Sequence, residues 1–124
     1  MIGNFLKKIY YKKYTKTSYS ISNVDLIIDR MFANKKKGNF IDLGCNHPIK
    51  FNNTYLLYKR GWRGLNIDLD QTSINEFNKI RNFDFNVKAL VSNSSNEIKK
   101  IYYYHKRSAI NTVSEKLIKH RNSK

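Results

Sequence analysis

The sequence predicts an α/β fold that opens with a strand, a glycine turn, a helix and a second strand. Phe40 to Leu43 is a short apolar strand that runs into a glycine turn, and Leu65 to Ile67 is a second apolar strand that ends on Asp68. Residues 53–60 between them have helical character, and Gly61 supplies the stop. This order predicts a βαβ unit with a right-handed parallel connection, the opening unit of nucleotide-type binding folds.

Length and composition indicate one small domain. The chain has 124 residues, of which 40% are hydrophobic and 14% aromatic, so it can bury a core. The single cysteine, Cys45, has no partner for an internal disulfide, and no secretory signal is apparent. No apolar run approaches the length of about 20 residues that spans a bilayer. A cytoplasmic location is therefore expected.

The formal net charge of +15 favours polyanionic partners, such as nucleic acid or an anionic lipid surface. The chain is also rich in Lys, Asn, Ile and Tyr together. Part of the basic excess therefore reflects general composition and requires no partner.

Residues 1–37 form a predicted helical segment ahead of the sheet. Apolar residues recur at helical spacing near the start, at Ile2, Phe5, Leu6, Ile9 and Tyr10. The lysines among them allow an interfacial helix on anionic lipid, but a helix that covers one face of the domain is the favoured interpretation.

A second helix is predicted to begin near Val24 and to stop at Gly38. Ser22 and Asp25 resemble a capping box. Its inner face is predicted to carry Val24, Ile27, Ile28, Met31 and Phe32.

A further helix is predicted over residues 72–81, capped by Thr72 or Ser73. Its inner stripe consists of Ile74, Phe77 and either Ile80 or Arg81. Trp62 is predicted to be a hydrophobic plug beneath the turn that precedes the second strand.

Two further strands are predicted, Phe85 to Val91 and Ile98 to Tyr104. Because few residues separate them, an antiparallel hairpin is expected. Beyond it lies a weak helical pattern through Val113, Leu117 and Ile118.

The ends of the first two strands carry the candidate site. Ligands of open parallel sheets bind beyond the carboxyl ends of the strands, where Asp42 and Asp68 are expected side by side. Gly44 permits a tight turn, and a carboxylate after the second strand is placed to accept ribose hydroxyls. The turn has one glycine where a pyrophosphate fingerprint needs three. A ligand with a ribose and no phosphate, such as S-adenosylmethionine, fits better.

At this point the sequence resembles the N-terminal part of FkbM-type methyltransferases. The resemblance lies in Phe40-Ile41-Asp42-Leu43-Gly44-Cys45-Asn46-His47-Pro48, in Asn53-Thr54-Tyr55, and in Gly61-Trp62-Arg63-Gly64-Leu65-Asn66-Ile67-Asp68. It implies a Rossmann-like class I methyltransferase fold over residues 38–114, followed by a basic tail at 115–124. It also implies S-adenosylmethionine as cofactor and the hydroxyl of a small molecule, sugar or natural product as methyl acceptor.

The resemblance also implies roles for individual residues. Asp42, Gly44 and Asn46 would form the cofactor loop, and Asp68 would hold the ribose hydroxyls. Cys45 stands where the family commonly has a small residue, so its thiol is expected to serve only as a small side chain.

One departure from the family concerns the second half of the fold. Members continue into a strand with an Asp-x-Glu-Gly type motif, which is absent here. We therefore expect a truncated or inactive methyltransferase, or a chain whose sheet is completed by a partner or by a second copy.

Catalytic and metal-binding residues are less well indicated. Methyl transfer depends mainly on alignment, so no nucleophilic residue is required, and His47 beside the turn is a candidate for the general base. The histidine spacing supplies no metal cluster. A rival interpretation is a non-catalytic basic module, because Tyr102, Tyr103 and Tyr104 lie near many C-terminal cations, as in proteins that bind single-stranded nucleic acid. Binding to an anionic membrane surface is a further alternative.

Overall fold

The computed structural model describes residues 16–93, 98–105, 108 and 111–122. Its elements, in chain order, are α1 (Val24–Met31), β1 (Asn39–Leu43), α2 (Tyr55–Lys59), β2 (Arg63–Asp68), α3 (Gln71–Ile80), β3 (Phe85–Lys88) and α4 (Glu115–Asn122). The predicted helix over residues 1–16 lies outside the described residues, apart from Lys16.

The three strands form one parallel sheet in the order β1-β2-β3. Asp42 pairs with Asn66, and Leu43 pairs with Ile67. On the other side of β2, Asp68 pairs with Lys88. The predicted α/β class and the parallel βαβ unit are therefore confirmed, with all three carboxyl ends at one edge of the sheet.

One face of the sheet is covered by α2 and α3. Ile74 and Phe77 of α3 are buried, as predicted. At the end of this helix Arg81, and not Ile80, completes the inner stripe. Its guanidinium lies about 5 Å from the ring centroids of Phe40 in β1 and Tyr58 in α2. Both helices therefore lie on the side of the sheet that carries Phe40, Asp42 and Asn66.

The opposite face of the sheet is apolar and open among the described residues. Ile41 is 68% exposed and Phe85 is 78% exposed, and Leu43 and Val87 are also exposed. Apolar residues at successive positions, as in Phe40 to Leu43, predict a strand covered on both faces of a parallel sheet, and this prediction does not hold for the part of the chain that the structure describes.

The predicted inner face of α1 is wrong at three of its five residues, whereas Phe32 packs against Trp62. Val24 and Ile27 are exposed and Met31 is 74% exposed, whereas Asp25 and Asp29 are buried. The helix turns its acidic face inward because that face finds donors. Asp29 is paired with Lys16 and with Arg60, whose Nη1 lies 2.6 Å from the carboxylate.

The predicted capping box of α1 is also wrong. Asn23 is the N-cap and makes no side-chain cap bond. Asp25 instead accepts hydrogen bonds from the Ser18 hydroxyl at 2.6 Å, the Tyr19 N–H at 2.6 Å and the Ser20 hydroxyl at 3.0 Å. The carboxylate thereby fixes the chain that leads into the helix.

The predicted hairpin near the C-terminus is wrong as well. β3 pairs with β2 in parallel, and residues 98–105 contain only an isolated antiparallel bridge between Tyr102 and Thr112. Parallel pairing with β2, on the side opposite β1, gives every residue of β3 a partner in the sheet. α4 confirms the weak helical pattern, although none of its residues is buried.

Two local predictions have opposite outcomes. Trp62 is buried against the ring of Phe32, at a centroid distance of 5.3 Å, so the predicted hydrophobic plug is confirmed. Asp70 caps α3 by accepting the Thr72 N–H at 2.8 Å, so neither Thr72 nor Ser73 is the cap. Among the described residues, no helix is long and apolar enough to cross a membrane.

Candidate functional site at the carboxyl ends of the strands

The turn after β1 bends sharply toward β2. The N–H groups of Gly44 and Cys45 both donate to the carbonyl of Ile67, at 2.8 and 3.2 Å. Gly44 has φ +71° and Asn46 has φ +52°, so both occupy the left-handed region. Glycine adopts this conformation without steric cost, and asparagine is among the few other residues that tolerate it.

Asp68 fixes this turn from the end of β2. Its Oδ2 accepts the Asn46 N–H at 2.8 Å, and its Oδ1 accepts the Asp70 N–H at 2.8 Å. An ionised carboxylate has about four acceptor positions. Each oxygen of Asp68 therefore retains capacity for a further donor, such as a ligand hydroxyl.

A cavity of about 420 Å³ opens beside this carboxylate. Gly44, Asn46, Asp68 and Asp70 line it on the polar side. The remaining lining includes apolar residues from β1, β2, the connection after β2 and the segments beyond β3, namely Leu43, Ile67, Leu69, Leu90, Val91 and Ile101. Its size and its mixture of apolar walls with a few polar groups are typical of small-molecule sites.

The structure brings three of the four predicted site residues to the cavity. Asp42 is the exception. Since Leu43 pairs with Ile67, Asp68 lies level with the turn, whereas Asp42 lies one pleat further back, level with Asn66. Its Oδ2 accepts the Thr54 hydroxyl at 2.8 Å and the Asn52 amide at 3.1 Å. Asp42 is thus on the same face of the sheet as Asp68, but its carboxylate binds the side chains of Thr54 and Asn52 and does not line the cavity.

A buried polar network continues from Asp42 beneath the turn. Asn52 donates from Nδ2 to the Cys45 carbonyl at 3.3 Å. Arg81 donates from Nη1 to Asn52 Oδ1 at 3.1 Å and to Thr54 Oγ1 at 3.0 Å. Its Nε donates to Asp84 at 2.9 Å. The turn is therefore held by Asp68 on one side and by this network on the other.

The thiol of Cys45 is enclosed between these groups. The side chain is 3% exposed, and burial together with the nearby negative charges of Asp68 and Asp42 raises its pKa to about 12. The thiol therefore stays protonated at neutral pH and behaves as a small buried side chain.

His47 closes the turn and does not line the cavity. Its Nδ1 accepts the N–H groups of Ile49 at 3.0 Å and Lys50 at 2.9 Å. The remaining ring nitrogen, Nε2, lies 3.9 Å from Glu76. The geometry thus gives His47 a role in shaping the loop and does not place it as a base for a bound substrate. In the described part of the chain, no group of three or more His, Cys, Asp and Glu side chains could hold a metal ion.

Sequence reasoning missed the supporting residues of the site. Asn52 directly precedes the predicted helix over residues 53–60 and Thr54 lies within it, and the side chains of both were given no role. Arg81 was one of two candidates for the inner stripe of α3, but its hydrogen bonds to Asn52 and Thr54 beneath the turn were not predicted. No sequence pattern indicated that Asp84 would pair with Arg81.

Comparison with protein-family models, curated proteins and solved structures found no significant match to this chain. The geometry of the site therefore carries the functional argument.

Proposed function

We propose that this chain is an FkbM-type methyltransferase unit that binds S-adenosylmethionine in the cavity beside Asp68 and directs its methyl group to a hydroxyl of a small molecule or glycan. The observation that carries the proposal is the position of the Asp68 carboxylate. It lines a small-molecule cavity at the carboxyl end of a parallel sheet, directly beside a glycine turn. That is where open α/β sheets bind nucleotide-like ligands.

The residues present fit the adenosyl group. A Cβ built on Gly44 meets nothing within 4 Å, so this position leaves open space on the cavity side of the turn. Asp68 has acceptor capacity for two vicinal hydroxyls, one at each oxygen. Leu69 and Leu90 offer apolar surface for a flat ring. Asp68 and Asp70 supply negative charge that favours a cationic ligand in a chain that is otherwise strongly basic.

The chemistry divides between the cofactor and the chain. When bound, S-adenosylmethionine supplies an electrophilic methyl group on a positively charged sulfur. Asp68 and the Gly44 turn would hold and orient it, and orientation is the main requirement of the transfer. Asp42 would act indirectly, by holding Asn52 and Thr54 beneath the turn. We assign no general base to the described residues.

Isothermal titration calorimetry with S-adenosylmethionine and S-adenosylhomocysteine tests this function. The wild-type chain is expected to bind both ligands, and Asp68→Ala is expected to bind neither. Glu76→Gln is a matched control that also removes one negative charge but lies outside the cavity lining. If the wild-type chain binds neither ligand at ligand concentrations from the low micromolar to the millimolar range, the proposal is wrong.

A second candidate function is binding of single-stranded nucleic acid, which is supported by the surface formed by Tyr104 and α4. Tyr104 is 72% exposed, and the exposed helix α4 carries Lys116, Lys119 and Arg121. The Tyr102–Thr112 bridge and a 3.0 Å hydrogen bond from the Tyr102 hydroxyl to Glu115 join the tyrosine segment to the start of this helix. Aromatic faces beside cations are used in this way by such proteins. Retention on single-stranded DNA that falls steeply as salt rises would support this function, and no retention at low salt would exclude it.

A further inference from the structure

The Arg81 guanidinium is fully buried and joins several separate parts of the chain. Its exposed fraction is 0%. It packs against the rings of Phe40, Tyr58 and Phe77 at centroid distances of 5.0 to 5.2 Å. A cation is costly to bury unless its donors are satisfied, so its hydrogen bonds determine what this arginine does.

On one side, Arg81 is anchored to β2 through Asp84. The Asp84 carboxylate lies 2.9 Å from Nε and 2.8 Å from Nη2 of the arginine. The same carboxylate accepts the N–H of Gly64 at 2.9 Å and the amide of Asn66 at 3.1 Å. This side fixes the guanidinium relative to the start and middle of the central strand.

On the other side, Arg81 is one of the donors that fix which way the Asn52 side-chain amide points. Asn52 Oδ1 receives donors from Arg81 Nη1 at 3.1 Å and from the Thr54 N–H at 2.9 Å. With donors gathered on the oxygen, the Nδ2 group must face the opposite direction. There it donates to the Cys45 carbonyl and to Asp42. Asn52 is itself buried, so the reversed amide would leave these groups unsatisfied.

We propose that Arg81 is a positioning residue that sets the conformation of the Gly44–Asn46 turn through Asn52 and Thr54. The fork of the guanidinium reaches Asp84 with one edge and the Asn52–Thr54 pair with another. A lysine ammonium is a point charge and cannot span both sets of acceptors. The effect of Arg81 on ligand binding rests on the proposed function, whereas the effect of Arg81 on the conformation of the turn does not.

The test compares backbone amide spectra of wild type, Arg81→Lys and Arg60→Lys by ¹H–¹⁵N NMR. In Arg81→Lys the amide signals of Cys45 and Asn46 are expected to shift, because the donor to Asn52 and Thr54 beneath the turn is lost. Arg60→Lys is the matched control, because Arg60 pairs with Asp29 and binds carbonyls after α1, away from the turn. It is expected to leave the Cys45 and Asn46 signals in place.

Calorimetry supplies the second readout. The dissociation constant of S-adenosylhomocysteine is expected to rise at least about tenfold in Arg81→Lys and to stay near the wild-type value in Arg60→Lys. Displaced turn amides support the inference even if the wild-type chain binds no adenosyl ligand, a result that would overturn the proposed function alone.

Unchanged Cys45 and Asn46 amides in a folded Arg81→Lys variant would overturn the inference. If that variant does not fold, Thr54→Val decides, because it keeps the shape of the side chain and removes only the hydroxyl between Arg81 and Asp42. A shift of the turn amides in Thr54→Val supports the positioning role, and an unaltered turn contradicts it.

Discussion

The carboxylate of Asp68 accepts the backbone N–H of Asn46 at 2.8 Å across 22 residues of sequence. This bond joins the last residue of β2 to the turn after β1. It occupies only one of the two acceptor positions on that oxygen. The same side chain therefore shapes the rim of the cavity and remains able to bind a ligand.

Replacing Asp68 by alanine is expected to loosen the turn as well as to remove the ligand contact. Two backbone N–H groups, those of Asn46 and Asp70, lose a charged acceptor. We expect a loss of about 1.5–3 kcal/mol in the free energy of unfolding, measured by urea denaturation. Unaltered stability would contradict the role of Asp68 in holding the turn.

Gly44→Ala is expected to separate backbone strain from loss of the site. Gly44 has φ +71° and Gly61 has φ +92°, and a Cβ on either meets nothing within 4 Å. Both alanine variants should therefore lose about 1–2 kcal/mol of stability through the left-handed backbone alone. Only Gly44 lines the cavity, so only Gly44→Ala should weaken binding of S-adenosylhomocysteine. Equal weakening in the two variants would show that the cavity is not the binding site.

The sequence was sufficient to predict the parallel pairing of β1 with β2 and the edge of the sheet that carries the candidate site. Two short apolar strands, one ending at a glycine turn and the other at Asp68, indicate this arrangement, but they fix neither the register of the two strands nor the parallel pairing of β3 with β2. The sequence was not sufficient for α1, because Asp25 and Asp29 are buried only by donors that are distant or irregularly spaced, such as Ser18 and Arg60. Periodicity registers apolar residues and cannot detect such partners.

The same limit explains the candidate site. Gly44 and Asp68 could be located because they follow or end a strand, and Asn46 was indicated by the family resemblance. The position of Asp42 outside the cavity depends on the exact register of β1 and β2 and on its hydrogen bonds from Thr54 and Asn52. Helical spacing allowed an inward position for Arg81, but the three aromatic rings around its guanidinium come from separate parts of the chain and could not be identified from the sequence.

Acid is expected to destabilise the packing of α1. Burial alone would raise the pKa of Asp25 and Asp29, but the hydroxyls of Ser18 and Ser20 on Asp25, and Lys16 and Arg60 on Asp29, lower both pKa values. A lowered folded-state pKa gives stability that is present above the ordinary carboxyl value of about 3.9 and is lost as pH falls through the lowered pKa.

Urea denaturation between pH 7 and pH 3 measures this dependence. Unfolding free energy should fall in the acid range, and Asp29→Asn should show a smaller fall because one of the two carboxylates is gone. If Asp29→Asn lost as much unfolding free energy in acid as the wild type, the result would contradict a stabilising role for the Asp29 carboxylate.

Cys45 is expected to resist alkylation in the folded chain. Its thiol is buried and its pKa is raised to about 12, so thiolate is scarce at pH 8. Iodoacetamide should modify the native protein far more slowly than the urea-unfolded protein, as followed by mass spectrometry. Comparable rates in the two states would place the thiol at an accessible surface and would contradict the enclosed turn.

Titration of the ¹⁵N-labelled chain with S-adenosylhomocysteine, followed by ¹H–¹⁵N NMR, addresses the central claim most directly. The account predicts saturable shifts centred on the amides of Gly44, Asn46, Asp68 and Asp70, with those of α1 and α4 unmoved. Absence of any shift, or saturable shifts confined to residues outside the cavity, would contradict it.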